Sequence, residues 1–289
     1  MLFRQIRYFL AVAEFGNFTR AAEALYVSQP TLSQQIRQLE ETLGVALFDR
    51  SGRAVRLTDA GEAWMHYAKL ALRDIDSGTR AIHDVAELSR GRLRIAATPT
   101  FTPYLTVAAI DHFNREHPGI TIDLHEITQA QIEAMLGEDE VDLGIGFERA
   151  RSAEVESRRL FSETLSLVVG AGHPRAECRD GLPGEVLESE PLILLNGKFA
   201  TRRHIDDYCH SLGITPNVVI DANSIGVILE IVRRGRLATI LPDRIDLTHS
   251  GLRPVALTPS LPVREAVLLW RKGAYRSAAS KAFEQLLSR

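Results

Sequence analysis

The stretch FTRAAEALYVSQPTLSQQIRQLE, residues 18–40, decides the first part of the fold. It predicts two short helices separated by a tight turn, the arrangement called helix-turn-helix. Thr19 and Ser28 are of a residue type that caps helices, and Pro30 suits a first helical turn, where its missing N–H costs nothing. The apolar positions of the second helix share one face and predict its packing surface: Leu32, Ile36 and Leu39.

The opposite face of the second helix carries short neutral or basic side chains, which suit the base edges of a DNA major groove. These side chains are Gln29, Thr31, Ser33, Gln34 and Arg37. A solvated helix face is the alternative, although such faces normally carry more Glu and Lys. Further DNA contacts are expected beside the turn, from Thr19, Arg20, Ser28 and Pro30.

The segment LFDRSGRAVRLT, residues 47–58, predicts a β-hairpin beside the two helices. Ser51 and Gly52 provide turn chemistry between two extended runs. A hairpin in this place is a wing, and its arginines are expected to contact phosphates or the minor groove. These arginines are Arg50, Arg53 and Arg56.

A long helix is expected over residues 59–90, capped by Thr58, with Asp59 and Glu62 at the positive end of its dipole. Apolar and small residues follow at alternating steps of four and three, the spacing of a heptad seam that packs on a partner helix. They are Trp64, Ala68, Ala71, Ile75, Gly78, Ile82 and Val85. The seam could pack within its own chain, but little upstream could cover it, so a homodimer is expected.

Beyond Gly91, strand patterns alternate with helix patterns, which predicts an α/β architecture with mostly parallel sheets. Strands are expected at residues 93–97, 120–124, 141–146, 165–169, 192–195, 218–220, 239–242 and 265–270. Helices are expected at residues 104–116, 131–136, 201–211, 225–233 and 278–287. The fold class is therefore α+β overall, with a winged helix-turn-helix, a long dimerising helix and a C-terminal α/β domain.

Candidate ligand contacts lie where strands lead into helices, since ligands of open α/β sheets bind beyond the carboxyl ends of strands. Three hydroxyl- or amide-bearing junctions stand out, with additions after two other strands. Their residues are Thr98, Pro99, Thr100 and Thr102; Phe199 and Thr201; Asn223 and Ser224; and the additions Thr128 and Phe147. Side-chain donors beside the free N–H groups of a helix start suit an anion. Ordinary helix capping is the alternative.

Composition and motifs narrow the remaining classes. The 289 residues carry a net charge of −3 and contain no apolar run long enough to span a bilayer. The first residues lack signal-peptide character, so a cytoplasmic protein with no membrane partner is expected. An enzyme and a transport-type binding protein are the competing classes, but the hydrolase, nucleotide-binding and metalloprotease motifs are missing. Neither a cofactor nor a metal is expected. Cys178 and Cys209 are interpreted as reduced thiols, with a redox switch as the alternative.

The N-terminal motifs resemble those of the LysR-type transcriptional regulators without a gap. The matching segments are residues 18–22, 27–30, 32–36, 43–44, 47–50 and 57–61. The resemblance implies that Gln29, Pro30, Ser33, Gln34 and Arg37 face DNA, with Arg53 on the wing. It also implies a double-stranded operator, RNA polymerase and a small-molecule effector as partners, and assembly of dimers into a homotetramer. Activation and repression, including repression of the regulator's own gene, both remain open.

The same resemblance implies an effector domain of two subdomains, like those of periplasmic binding proteins. The expected domains are residues 1–58, 59–90 and 91–289. Subdomain I takes residues 92–161 and 267–289, and subdomain II takes residues 162–266. Segments 80–86, 98–102, 199–202 and 221–225 resemble those of family members that control cyanate operons. This likeness implies a small linear anion such as cyanate, and a carboxylate is the alternative.

Overall fold

The computed structural model describes residues 3–51, 55–84, 90–178, 180–245 and 251–288. The chain forms two compact units, Met1–Ile82 and His83–Arg289. The elements of the N-terminal part are α1 (Phe3–Phe15), α2 (Phe18–Ala24), α3 (Gln29–Leu43), β1 (Phe48–Asp49), β2 (Arg56–Leu57) and α4 (Asp59–Asp84). Residues 85–89, the rest of the predicted long helix, lie outside the described residues.

Helix α3 begins where its sequence predicts and runs three residues beyond Glu40, the last residue of the predicted stretch. The Ser28 hydroxyl accepts a hydrogen bond from the N–H of Thr31 at 3.3 Å, and Pro30 lies in the first turn. Gly44 ends the helix with φ 71°, a left-handed conformation that glycine adopts without steric cost. The three predicted packing residues, Leu32, Ile36 and Leu39, are fully buried. The sequence-based prediction of this helix is confirmed.

The cap of helix α2 differs from the prediction. Asn17, in an extended conformation, accepts hydrogen bonds through Oδ1 from the N–H groups of Thr19 (2.8 Å) and Arg20 (3.1 Å). Thr19 therefore lies inside the first turn, and its prediction as the N-cap is wrong. The physical reason is that the helix begins at Phe18, so the Ala21 N–H, one of the donors that a Thr19 cap would bind, already donates to the Asn17 carbonyl at 3.0 Å.

The second unit contains two groups of strands. Its strands are β3 (Gly91–Ala97), β4 (Ile120–Glu126), β5 (Leu143–Phe147), β6 (Val155–Glu163), β7 (Leu165–Gly170), β8 (Leu182–Pro183), β9 (Leu192–Leu195), β10 (Val218–Ala222), β11 (Thr239–Pro242), β12 (Leu252–Val255), β13 (Leu257–Thr258) and β14 (Arg264–Arg271). Its helices are α5 (Val107–Glu116), α6 (Gln129–Gly137), α7 (Val186–Ser189), α8 (Ala200–Leu212), α9 (Ile225–Arg234) and α10 (Ala278–Leu287). A 3₁₀ turn, Pro99–Phe101, and a π turn, Thr102–Thr106, lead into α5.

The first sheet has the strand order β4-β3-β5-β14-β6. Its centre is apolar on both faces. One face packs with Phe101, Phe113 and Phe283, and the other packs with Ile132 and Leu136 of α6. The strand β3 is parallel to β4 and β5, whereas β14 is antiparallel to β5 and β6. Helices on both faces of a sheet protect its central strands from solvent.

The second group comprises the three-stranded sheet β11-β7-β12 and the parallel pairs β9–β10 and β8–β13. In the three-stranded sheet, both partners run antiparallel to β7. The expectation of mostly parallel sheets is therefore only half right. The antiparallel pairs arise because the chain crosses directly between the two groups. One residue separates β6 from β7, and residues 259–263 separate β13 from β14.

Candidate nucleic-acid interface and ligand site

The polar face of α3 is open to solvent. Gln29, Pro30, Thr31, Gln34 and Arg37 are exposed, and Ser33 is half-buried. Within the described part of the chain, no hydrogen bond ties up the side chains of Gln29, Gln34 or Arg37. The first turn contains no acidic residue, so nothing there repels a phosphate. This face can therefore offer amide and guanidinium groups to the edges of bases, in agreement with the prediction from its residue types.

Glu40 holds the strands of the hairpin against α3. Its Oε1 accepts hydrogen bonds from the backbone N–H groups of Leu47 (2.9 Å) and Phe48 (3.2 Å). Its Oε2 accepts one from Arg50 at 2.8 Å, and the Arg50 guanidinium lies over the Phe18 ring. The hairpin arginines thus differ: Arg50 is engaged within its own unit, and Arg56 is exposed. Arg53 lies outside the described residues.

Tyr26 is a feature of the turn that the sequence reasoning did not single out. Its side chain is 96% exposed and its backbone φ is +54°, in the left-handed region. A non-glycine residue is strained there because its Cβ approaches the following carbonyl oxygen. The strain places an aromatic phenol in solvent immediately before α3. A tyrosine in a turn that commonly takes glycine or asparagine is the sequence signal for this strain.

The predicted heptad seam of α4 divides into two parts. Trp64 and Ala68 pack against the apolar core of their own unit, and Ala68 is 1% exposed. These two residues therefore pack within their own chain, which is the alternative to a dimer seam. Ile75 and Ile82 are 48% and 75% exposed. Ala71 is half-buried and Gly78 is exposed, whereas Val85 lies outside the described residues.

Three of the predicted ligand contacts converge in the second unit. Thr100 Oγ1, in the 3₁₀ turn after β3, lies 3.4 Å from Thr201 Oγ1, in the first turn of α8. Both side chains are buried, at 0% and 3% exposure. Phe147, at the end of β5, stacks on Phe101 with ring centroids 4.3 Å apart. The first-sheet side and the β9–α8 side of this unit therefore meet through two threonine hydroxyls.

Arg264 joins these residues, and the sequence reasoning missed it. Its Nη1 donates to Thr201 Oγ1 at 2.8 Å, and its Nε donates to Glu163 Oε1 at 2.8 Å. The guanidinium carbon lies 3.6 Å from the centre of the Phe147 ring. Tyr104 donates its phenol hydrogen to Glu163 Oε2 at 2.5 Å. Thr100, Tyr104, Glu163, Thr201 and Arg264 are called the central cluster below. The one sequence signal for Arg264 is a cation just before the apolar run of β14, residues 266–270.

The protonation states in the central cluster are set by burial. Burial, and then the neighbouring Glu163 carboxylate, raise the pKa of Tyr104 above its usual value, so the phenol stays protonated. Burial lowers the pKa of Arg264, and the Glu163 carboxylate opposes that shift. Because a guanidinium titrates far above neutral pH, Arg264 stays charged. The cluster is therefore a neutral ion pair with a phenol and two hydroxyls attached.

Several remaining ligand candidates act as ordinary parts of the fold. Thr128 caps α6 in a reciprocal capping box with Gln131, and the Ser224 hydroxyl caps α9 by accepting from Val227 N–H. Thr102 donates to Glu126. Pro99 and Phe199 are buried, and Asn223 is exposed. Thr98 is different, because its buried Oγ1 has no hydrogen-bond partner among the described residues. Thr128 and Ser224 thus act as helix caps, which the sequence analysis gave as the alternative to ligand contact.

The two cysteines are free thiols in the core of the second sheet group. Cys209, on α8, is 1% exposed, and burial, followed by the charge of Asp206, raises its pKa to about 11. Cys178 is half-buried. Among the described residues, no cluster of His, Cys, Asp and Glu has the geometry to hold a metal ion. The same residues include no helix with both the length and the apolar character of a membrane span.

Two models of known protein families match the sequence of this chain. Residues 3–62 match the family model described as "Bacterial regulatory helix-turn-helix protein, lysR family". Residues 86–289 match the model described as "LysR substrate binding domain". These two models together span nearly the whole chain, and they support the predicted fold class.

Individual relatives match along most of their length. The chain is 30% identical to the uncharacterised HTH-type regulator YwbI of Bacillus subtilis over 97% of this chain and 93% of the relative. It is 32% identical to the Escherichia coli dual regulator OxyR, covering 99% and 93%. A solved full-length OxyR variant from Pseudomonas aeruginosa is similar in structure, with a TM-score of 0.69, 26% identity and coverage of 100% and 98%.

Proposed function

The chain belongs to the LysR family of DNA-binding transcriptional regulators, and we propose that its effector is a small anion such as cyanate. The observation that carries this proposal is the meeting of the Thr100 and Thr201 hydroxyls at 3.4 Å. Each hydroxyl stands at the start of a helical turn, after β3 and after β9 respectively. Hydroxyls combined with the free N–H groups of helix starts suit a single diffuse negative charge.

Cyanate is preferred because segments 98–102 and 199–202, which contribute both threonines, resemble those of family members that control cyanate operons. A small carboxylate shares the same binding chemistry. If the site binds an anion but does not bind cyanate, we expect a small carboxylate to be the effector. The proposed targets are a cyanate-utilisation operon and the regulator's own gene, with RNA polymerase as the partner at the promoter.

The proposed DNA reader is the exposed polar face of α3, with the hairpin beside it. One helix-turn-helix makes few contacts, so two tethered copies gain affinity through effective concentration. We propose a homodimer formed along the exposed part of the seam, Ile75, Gly78 and Ile82, and a homotetramer built from two dimers. The proposed domains remain residues 1–58, 59–90 and 91–289, the last with subdomains at 92–161 with 267–289 and at 162–266.

The proposed mechanism is a shift between two states of the effector domain. An effector moves such an equilibrium only by its different affinities for the two states. In a DNA-bound assembly the shift changes how far the operator is bent. The test is to measure the bend of the DNA upstream of the regulator's own gene by fluorescence energy transfer, with and without cyanate. A changed bend supports the mechanism, and an identical bend at saturating cyanate contradicts it.

Peroxide sensing is the second candidate, because relatives from Dickeya chrysanthemi and Haemophilus influenzae are named as hydrogen-peroxide-inducible gene activators. A peroxide sensor that acts through a thiol needs an accessible thiolate. Cys209 is buried with its pKa raised to about 11, and Cys178 is half-buried. These properties favour the anion over peroxide as the effector of this chain.

A further inference from the structure

We propose that Arg264 binds the negatively charged group of the effector and selects anions over neutral molecules of the same size. The inference rests on the proposed function, since it concerns the same ligand site. It concerns a residue that lies 63 positions from Thr201 along the chain. Neither the family signature nor the strand-to-helix junctions pointed to it.

The first step of the argument is the hydrogen-bond inventory of Arg264. A guanidinium has five N–H donors in a fixed plane. One donates to Glu163 through Nε and one to Thr201 through Nη1. Nη2 lies 2.6 Å from Glu163 Oε1, outside hydrogen-bond geometry, and has no hydrogen-bond partner among the described residues. Because Arg264 is only 5% exposed, bulk water does not satisfy these donors.

The second step is the state of Glu163. Its side chain is 0% exposed, and both of its oxygens already accept hydrogen bonds, Oε1 from Arg264 and Oε2 from Tyr104. A carboxylate has about four acceptor sites, so Glu163 could accept more, but its Oε1 makes no hydrogen bond with Arg264 Nη2 in this geometry. A buried donor without a partner is costly, and an incoming ligand oxygen or nitrogen removes that cost. The donor of the cluster that lacks a hydrogen-bond partner thus belongs to its cation, Arg264.

The third step is the position of the free donors. Arg264 Nη1 is bonded to the Thr201 hydroxyl, which lies 3.4 Å from that of Thr100. Because Thr201 Oγ1 accepts from Arg264, its own hydrogen can donate, either to Thr100 or to a ligand. Thr98, two residues before Thr100, has a buried hydroxyl that also lacks a partner. A small anion at this point meets a guanidinium and hydroxyl donors together, which is the strong form of charge-assisted recognition.

Glu163 sets the strength of this recognition. Its carboxylate neutralises Arg264 and competes with the effector for the guanidinium. Without that carboxylate, Arg264 is a buried cation that lacks a counter-charge, so it attracts an anion more strongly. The pair thus lowers the affinity for anions while keeping the arginine folded in place. Selectivity for charge is expected to depend on Arg264, and affinity on Glu163.

The experiment is calorimetric titration of the full-length protein with cyanate, acetate and acetamide, the last two being matched in size but not in charge. The variants are Glu163→Gln and Glu163→Gln/Arg264→Gln, which differ only in the guanidinium and leave no unpaired buried carboxylate. Arg244→Gln is the control, because Arg244 is an exposed arginine that contacts the Ser162 carbonyl near the same crossing. Circular dichroism and thermal unfolding check that each variant folds. If the single variant unfolds, its thermal midpoint is expected to recover on addition of the anion but not of acetamide.

The expected result is that Glu163→Gln binds the anions about tenfold more tightly than wild type and the double variant about tenfold more weakly, with Arg244→Gln unchanged. Acetamide binds poorly throughout. A double variant that binds anions like wild type overturns the role of Arg264, and so does wild-type binding of acetamide as tightly as acetate. Wild-type protein that binds neither anion contradicts the anionic effector itself, which separates failure of the proposed function from failure of this inference.

Discussion

Arg264 faces Glu163 across the antiparallel pair formed by β14 and β6, and its Nε donates to Glu163 Oε1 at 2.8 Å. Arg264 is the first residue of β14, and Glu163 is the last residue of β6. Both strands belong to the first sheet and adjoin the points where the chain crosses to the second group of strands. The ion pair therefore links the two crossings to the threonine hydroxyls of the proposed ligand site. A ligand that alters the pair is expected to act where the two groups of strands join.

Replacing Gln34 by Ala is expected to weaken binding to the operator by about 1–3 kcal/mol while leaving binding to random DNA unchanged. The reason is that Gln34 is exposed on the polar face of α3 and makes no internal hydrogen bond that would occupy its amide. Competition binding at fixed salt, with operator and random duplexes, measures both quantities. Gln38→Ala, an exposed glutamine further along α3, is the control. An equal loss on both duplexes would show that Gln34 does not read bases.

Replacing Arg56 by Ala is expected to weaken binding to every duplex and to reduce the slope of log affinity against log salt by about one. The cause is loss of one exposed cation that releases a counterion when it meets a phosphate. Titrations at several salt concentrations give the slope. Lys281→Ala, which removes an exposed cation from the second unit, should leave the slope as it is. An unchanged slope for Arg56→Ala would place Arg56 away from the DNA backbone.

Replacing Tyr26 by Asn is expected to stabilise the folded chain by about 1 kcal/mol, because asparagine adopts the left-handed conformation at lower cost. Tyr26 has φ +54° and its side chain is almost fully exposed, so little packing is lost. Denaturant unfolding measures the change. Tyr67→Asn is the matched control, since Tyr67 is 66% exposed on the ordinary helical backbone of α4. If Tyr26→Asn lowers the midpoint as Tyr67→Asn does, the strain has no energetic effect.

The Cys209 thiol is expected to resist alkylation and peroxide at neutral pH. Its pKa is raised from 9.0 to about 11, so at any pH well below both values it holds about a hundredfold less thiolate than an ordinary cysteine. The labelling rate should keep rising about tenfold per pH unit until the pH approaches 11, whereas that of an ordinary cysteine levels off at a lower pH. Iodoacetamide labelling of Cys178→Ser protein across pH follows Cys209 alone, with Cys209→Ser as the complement. Labelling of Cys209 at pH 7 as fast as free cysteine would reopen the thiol sensor.

Local signals were enough to predict much of this fold. Strands β9 and β11 and helix α10 begin and end at the predicted residues, because each combines an apolar run with clear flanking turn or cap chemistry. The sequence of β6, VESRRLFSE, did not predict a strand. Its adjacent arginines break the alternation, and it lies at the edge of the sheet, where one side needs no apolar neighbour.

The candidate ligand site was predictable only in part. Thr100 and Thr201 could be proposed because each stands just after a strand. Arg264 could not, since its partners Glu163 and Thr201 lie 101 and 63 residues away along the chain. Contacts of that range depend on how the crossing strands pair, which local periodicity does not encode. Asn17 was missed for a simpler reason, because two neighbouring residue types could both cap α2.

The most direct test of the central claim is calorimetric titration of the full-length protein with cyanate, for wild type, Thr100→Val and Thr106→Val. Thr106 is the control, because it is a buried threonine whose hydroxyl, like that of Thr98, has no hydrogen-bond partner in the described chain. Saturable binding to wild type and Thr106→Val, with loss of about 1 kcal/mol or more in Thr100→Val, is the predicted result. A flat trace from folded wild-type protein, or equal binding by Thr100→Val, would contradict an anionic effector bound by the Thr100 and Thr201 hydroxyls.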